Sequence, residues 1–359
     1  MVDEFLAELM KHGATSFVSN APVQVLALEV AGFRMPVTIS APSACLPLSW
    51  VVSLRSAYGP YAAEEMHTLP VPALRPALKA MVRWLDEWLV AAQLDKLVCI
   101  NNWLLSTNLY PAWNGEGLGA LLGQLTQDYP DHFIAFRSLN YRHHAALLRS
   151  FKQAGWHLLP SRQVWLASPQ ARGGLMTRDR KNDARLLKKT ALKRARADTF
   201  SDADWERAAK LYEMLYLEKY SRLNPIFTPA FLRWASHSSF MRIEGLREAQ
   251  GNLLGVVGTI ASDTVMTTPL VGYDTSAPPK LGLYRLLTAI AFEDMERRGL
   301  CFNLSAGVGG FKKNRGARAE IEYTALWCRH LSARRQRPIK ALEFLLNRIG
   351  RPLMERYEL

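Results

Sequence analysis

The chain lacks any long uninterrupted apolar run. Charges such as Glu29 and Arg34 punctuate its richest stretches, and none approaches the roughly 20 apolar residues that a membrane-crossing helix requires. Cysteine is scarce: Cys45, Cys99, Cys301 and Cys328 stand far apart without C-x-x-C spacing, in apolar or strand-like settings. That pattern argues against a disulfide framework and suits reduced, packed thiols in a cytoplasm. Histidines at helical i, i+4 spacing are missing, since His143 and His144 are adjacent and the others scattered, so no metal site is expected. No G-x-S-x-G occurs, which disfavours a serine nucleophile elbow, and the glycines of AGVGG (306–310) precede no long helix, which disfavours a dinucleotide loop. The start, MVDEFLAELMKHG, has helical spacing of Phe5, Leu6, Leu9 and Met10 with acids early, unlike an export signal. Cytoplasmic residence without membrane insertion is the expectation.

Acidic residues are also in short supply, and the net charge is +13. The excess is concentrated. Residues 172–196 carry +8 and residues 312–340 carry +7, leaving the remainder near −2. Such patches imply a partner with dense negative charge, namely a polyphosphate cofactor, an acidic carrier protein or RNA.

What the chain does have is enough apolar sequence, nearly half of its 359 residues, for two cores. The segments VQVLALEV (24–31) and MPVTIS (35–40) read as a hairpin around Gly32, and PLSWVVSL (47–54) as a further strand. Apolar residues every three to four positions over 71–94 predict a helix. A buried strand KLVCINN (96–102), a helix at 115–128, a strand at 131–138, a helix at 141–155 and a strand at 162–168 follow. Strands alternating with helices indicate an α/β layer structure.

Residues 169–182 read as a linker, and ARLLKKTALKRARA as a basic helix with a narrow apolar stripe. Ser201 is placed to cap the helix that follows, and a shorter helix is predicted at 228–236 with Pro229 in its first turn. Segments 239–248, 252–262 and 265–274 form an antiparallel meander. The strongest helix, 282–299, stops at Gly299 after two arginines. The strand 301–305, a glycine-rich turn and a last strand 320–327 complete the order.

The segment GLYRLLTAIAFEDMERRGLCFNLSAGVGGFKKNRGARAEIEYTALW resembles GNAT-like acyltransferases that carry G-L-Y-R on a helix, S-A-G after a strand and F-K-x-x-R-G before the last strand. It also looks like the Fem-type peptidoglycan-bridge aminoacyltransferases, which have two fused GNAT halves. The resemblance is convincing over about 200–330 and weaker over 20–168, where TNLYP, FRSLN and PSRQVWL fit a degenerate first half. The usual phosphate loop Q/R-x-x-G-x-G/A is replaced by K-L-G-L-Y-R. The implied fold is α/β (α+β): two tandem GNAT-like domains, each a mixed, mainly antiparallel sheet flanked by helices. The expected limits are 1–170 for a degenerate N-terminal domain, 171–335 for the acyltransferase domain and 336–359 for a C-terminal helix.

A helix start with a small residue exposes unpaired amides and partial positive charge, so a pyrophosphate can dock there. Lys280, Gly282, Leu283, Tyr284 and Arg285 occupy that position as expected donor-binding residues, with acyl-CoA or an acyl-carrier thioester as co-substrate. Amide formation then needs an oxyanion site and a proton for the departing thiolate. Strands near 270–274 and 302–305 are expected to splay around the acyl carbonyl, Tyr273 to donate the proton, and Asn303 or Ser305 to orient the amine. By resemblance Lys312 would stabilise developing charge near the acyl group, the alternative being a solvent-facing lysine. Only one of Glu322 and Tyr323 can face the cleft, and Glu322 is favoured as base or amine binder. From the first half, Tyr141, Arg162, Trp103 and Asn102 are candidates to line the cleft, with core packing the expected fate of Trp103.

Three functions fit. The first is an N-acyltransferase acting on an amine-bearing small molecule, amino acid or specialised metabolite. The second is a tRNA-dependent aminoacyltransferase, ranked lower because no heptad run matches the tRNA-binding arm frequent in Fem-type proteins. The third is a silent binding module of the same fold.

Overall fold

The computed structural model describes residues 2–41, 48–169 and 176–358. Eleven strands among them form one sheet. They are β1 (Gln24–Val30), β2 (Phe33–Ser40), β3 (Leu97–Ile100), β4 (Phe133–Asn140), β5 (His157–Ala167), β6 (Lys193–Arg196), β7 (Arg242–Arg247), β8 (Leu253–Ala261), β9 (Val265–Tyr273), β10 (Cys301–Asn303) and β11 (Arg318–Trp327). Their order across the sheet is β1-β2-β3-β4-β11-β5-β10-β9-β8-β7-β6. Only β3 with β4 and β9 with β10 are parallel; every other neighbouring pair is antiparallel.

The centre of this order is crossed over. The last strand of the first half, β5, lies against β10 of the second, while the last strand of the second half, β11, lies between β4 and β5. Each half therefore completes its sheet with the other's final strand. Sequence alternation tells which face of a strand is buried but not which strand lies beside it, so this swap was invisible beforehand.

Helices cover both faces. Leu118–Asp128 and Tyr141–Ala154 close one core over β1 to β4, and Arg75–Ala91 with Ala333–Leu345 closes another beside β3, β4 and β5. In the second half, Asp202–Glu213 and Pro229–His237 cover one face, and Leu283–Arg298 the other. Local sequence fixes several ends. The Ser201 hydroxyl accepts from the Asp204 amide while the Asp204 carboxylate accepts from the Ser201 amide, a reciprocal cap. Gly299 ends its helix at φ 67°. Cys99 and Cys328 are buried and Cys301 half-buried, all as free thiols; Cys45 lies outside the described residues.

Two sequence expectations need correction. PLSWVVSL is not a strand in its described part: the Ser49 and Trp50 amides donate to Asn20 and Leu223 carbonyls, and Ser53 caps a short helix. Trp50, Val51 and Val52 are buried all the same, because a loop tied down at its amides can be as apolar as a strand. The basic helix also starts earlier and ends sooner than expected. It runs Arg178–Lys189 behind a Thr177 cap, and Lys193–Arg196 is the edge strand β6. Only Ala195 is buried there, so lysine and arginine guard an open sheet edge. Of the expected 169–182 linker, residues 178–182 are thus helical and 170–175 lie outside the described residues.

The helix Asp202–Glu213 approaches β9 at Gly272, where an added Cβ would stand 2.4 Å from the Tyr212 nitrogen and 2.6 Å from the Leu211 carbonyl carbon. Both neighbours are backbone. Gly272→Ala should therefore cost about 2–3 kcal/mol through overpacking, read as a lowered thermal midpoint; an unchanged midpoint would mean the helix slides away freely.

Candidate active site

β9 and β10 pair in parallel over only three positions, Cys301, Phe302 and Asn303 facing Val265, Met266 and Thr267. They separate for a local reason. Between Gly258 and Ile260 of β8 the register shifts, so that Thr259 faces both Thr268 and Pro269. This is a bulge, the setting in which a proline without an N–H is tolerated inside a sheet. Past it β9 runs on to Tyr273, while β10 stops and its chain turns at Ser305 with φ 59°. The Asn303 side chain, buried, accepts from the Ser305 amide and holds that turn. Past Asn303 the two strands diverge into a wedge, as the resemblance implied.

The helix Leu283–Arg298 begins at the same end of the sheet. Gly282, at φ 64°, precedes it without any side-chain cap, so the first-turn amides have no intrahelical acceptor. The Tyr284 ring lies between Tyr273, with centroids 6.3 Å apart, and Phe311, at 4.8 Å. Of the expected donor-binding residues, Lys280 is exposed, Leu283 is buried in the core and Arg285 donates to Asp183 at 2.7 Å. Asp183 is itself buried and also accepts from Arg315 at 2.6 Å. Arg285 thus locks the helix Arg178–Lys189 against the helix mouth, with Leu186 beside Gly282. Lys181, Lys188, Lys189 and Lys193 on this basic stretch are exposed and have no acidic partner among the described residues, whereas Arg180 and Arg194 are paired to Glu296, Glu244 and Glu293. Part of the basic excess is thus internal structure, and part is available at the mouth.

Lys312 does not face solvent. On the short helix Gly309–Asn314 it is 3% exposed, and its Nζ donates to the carbonyls of Ser305 at 3.1 Å and Ala306 at 2.7 Å. Burial, with the nearby Arg162 charge, pulls its pKa from the ordinary 10.5 down to about 7. Arg162 arrives from β5, the strand lent by the first half. It binds the Glu322 carboxylate at 2.8 Å, the Ser305 hydroxyl at 3.1 Å, the Ser106 carbonyl and the Thr107 hydroxyl. Glu322, 2% exposed, leaves its other carboxylate oxygen buried with no hydrogen-bond partner. Its strand neighbour Tyr323 turns to the opposite face against Tyr141, so Glu322 is the member of the pair that looks toward Arg162. The structure therefore brings together Lys312, Ser305, Arg162 and Glu322, and separately Tyr273 and Tyr284.

Of the first-half candidates only Arg162 takes part. Trp103 packs on Phe5 within the core, Tyr141 lies on the far face, and Asn102 is consumed in the other divergence of the sheet. There β3 and β4 separate after Ile100 and Phe136. Asn102 donates to Thr38 and Val51, Arg137 donates to Val51 and Asn102, and the Arg137 guanidinium sits 4.8 Å from the Trp50 ring centre. That cleft is filled by the protein's own side chains. The sequence reading missed Arg137 and Trp50, and it missed the tyrosines beside the open wedge. Tyr212, Tyr216 and Tyr220 recur every fourth residue, and Tyr212 and Tyr216 stack at 4.9 Å. Desolvation raises the pKa values of Tyr216, Tyr273 and Tyr284, and the charges of neighbouring tyrosines add to the rise at Tyr216 and Tyr284. That spacing was a readable signal.

No family model matches the chain, and no curated protein matches it. Solved structures do. FemX is 9% identical, covering 96% of this chain and 98% of its own, with a TM-score of 0.53. L-PGS from Bacillus licheniformis is 12% identical over 70% of this chain and 82% of its own, TM-score 0.48. A GCN5-related N-acetyltransferase from Kribbella flavida is 15% identical over 64% and 80%, TM-score 0.35. The chain shares the fold of FemX along nearly its whole length, one eleven-stranded sheet whose two halves trade their final strands.

Proposed function

We propose that this chain is an acyltransferase that moves an acyl group from a CoA or carrier-protein thioester directly onto an amine. The observation that carries the reading is the divergence of β9 from β10 after Asn303 beside an uncapped helix start at Gly282. The donor's phosphates would lie on the amides after Gly282 with Lys280 nearby, and its thioester in the wedge. The amine attacks the carbonyl carbon; a C–N bond forms, the C–S bond breaks, and the thiolate leaves with a proton. Tyr273, whose pKa is raised by desolvation, keeps its proton at neutral pH and supplies it. Lys312 as an ammonium has three donors, of which two are held by carbonyls, and the third supports the developing oxyanion. Asn303 shapes the turn that presents Ser305 to the amine. Glu322 receives the amine's proton through water, its unpartnered oxygen being the acceptor.

The unpaired lysines beside the mouth favour a second reading, in which the donor is an aminoacyl-tRNA. Incubating the protein with panels of acyl-CoAs, acylated carriers, aminoacyl-tRNAs and amines, with products resolved by mass, tests both. A new amide from one donor class supports the reading for that class, and no amide from any donor rejects acyl transfer. In either case Lys188→Glu with Lys189→Glu should weaken donor binding about tenfold at low salt, with the loss shrinking as salt rises. Titration at two ionic strengths checks this, and a salt-independent affinity would remove these lysines from the donor path.

A further inference from the structure

The helix Arg75–Ala91 turns an apolar stripe outward. Ala77, Ala80, Trp84, Trp88 and Ala91 fall on one face at helical spacing, all exposed, with Trp84 46% and Trp88 41% accessible. The two indoles contact each other with centroids 4.5 Å apart. The inward face is separate and already satisfied, since Val82, Leu85 and Leu89 are buried. A solvent-facing helix stripe ordinarily carries charge; this one is bordered only by Arg83 and Glu87. Val90, farther round the helix, and Leu74, just before it, are 47% and 44% exposed. Adjacent exposed tryptophans of this kind mark a surface that meets an apolar phase or a partner.

The neighbouring helix decides which. Ala333–Leu345 packs beside Arg75–Ala91 through Ile339 and Leu342 against Leu85 and Leu89, and Arg335 donates to the Ala92 carbonyl. It exposes Arg334, Arg337 and Lys340, none with an acidic partner among the described residues, followed by Phe344 at 61% exposure with Arg348 over its ring. Indoles with a basic fringe match an anionic lipid surface, where amphipathic rings settle at headgroup level and lysine and arginine meet the phosphates. A protein interface needs only a polar rim of no particular sign, whereas the fringe here is uniformly basic at Arg334, Arg337 and Lys340, which is the complement of an anionic surface.

We propose that this chain docks peripherally on anionic lipid bilayers through Trp84 and Trp88, with Arg337 and Lys340 supplying electrostatic attraction. This surface is independent of the acyl-transfer reading and stands or falls without it. The test is co-sedimentation of the full chain with vesicles of phosphatidylcholine alone and with about one-third phosphatidylglycerol. Binding is expected only with the anionic vesicles, weakened about tenfold by Trp84→Ser with Trp88→Ser and by Arg337→Glu with Lys340→Glu, the latter loss vanishing in high salt. All four side chains are exposed, so both variants should keep the wild-type thermal midpoint. Absence of binding, equal binding by the tryptophan variant, or a dimer that the same two changes dissolve in sedimentation equilibrium would each overturn the proposal.

Discussion

Lys312→Met is expected to cut kcat by about 10²–10³-fold while moving the thermal midpoint by no more than a few degrees. Catalysis and folding pull in opposite directions at this residue. Burying an ammonium is costly unless it is paired, and its partners here are two neutral carbonyls, so an apolar side chain of similar length relieves that cost even as it forfeits the hydrogen bonds. If the charged form supports the oxyanion, activity should fall as pH rises through about 7, where Lys312 loses its proton. The stability effect has the opposite sign. Between about 7 and 10.5 the unfolded lysine holds a proton that the folded one has released. The unfolded state then binds more protons, and stability from this group rises with pH across that window. It is lowest below pH 7. The methionine variant should lose both dependences. Steady-state kinetics and chemical denaturation over pH 6 to 10 read them separately, and a parallel loss of activity and stability would reduce Lys312 to a structural role.

Arg162→Leu is expected to destabilise the protein by about 3–5 kcal/mol, because it strands the Glu322 carboxylate in the middle of the sheet without its counter-ion. The pair is short, at 2.8 Å, and Glu322 is almost fully enclosed. Glu322→Leu alone leaves a guanidinium that retains Ser305, Ser106 and Thr107, so its cost should be smaller. Replacing both by leucine removes two charges at once, and the double variant should recover about 1–3 kcal/mol relative to the sum of the singles. This cycle also separates roles. A double variant that regains stability but not turnover places Glu322 and Arg162 in the chemistry; one that regains both makes them scaffolding. Urea unfolding at fixed pH, beside turnover of the same preparations, decides.

Much of the second half could be read from residues. The meander, the Gly282 and Gly299 helix limits and the Ser201 cap depend on contacts within a few positions, and short-range chemistry is what a sequence displays openly. The wedge was anticipated from resemblance, yet its cause, the Thr268–Pro269 bulge, needed the register of β8. Lys312 illustrates the other limit. Its position in F-K-K-N-R-G is legible, but its enclosure comes from the Ser305 turn and the nearby β5 strand, both fixed only by tertiary structure. Trp50 and Arg137 were missed because loops that bury apolar side chains mimic strands, and because an arginine inside β4 has no local signature. The outward Trp84–Trp88 pair is masked in the sequence by the inward pattern of Val82, Leu85 and Leu89 on the same helix.

The trading of β5 and β11 makes the two halves interdependent. A gene encoding only the second half would yield a domain whose central seam stands empty and whose Glu322 has lost its arginine. The half whose own cleft is stoppered thus remains indispensable through the strand it lends. Residues on the two sides of the join hold one another in place, Arg162 of β5 being the counter-ion of Glu322 of β11.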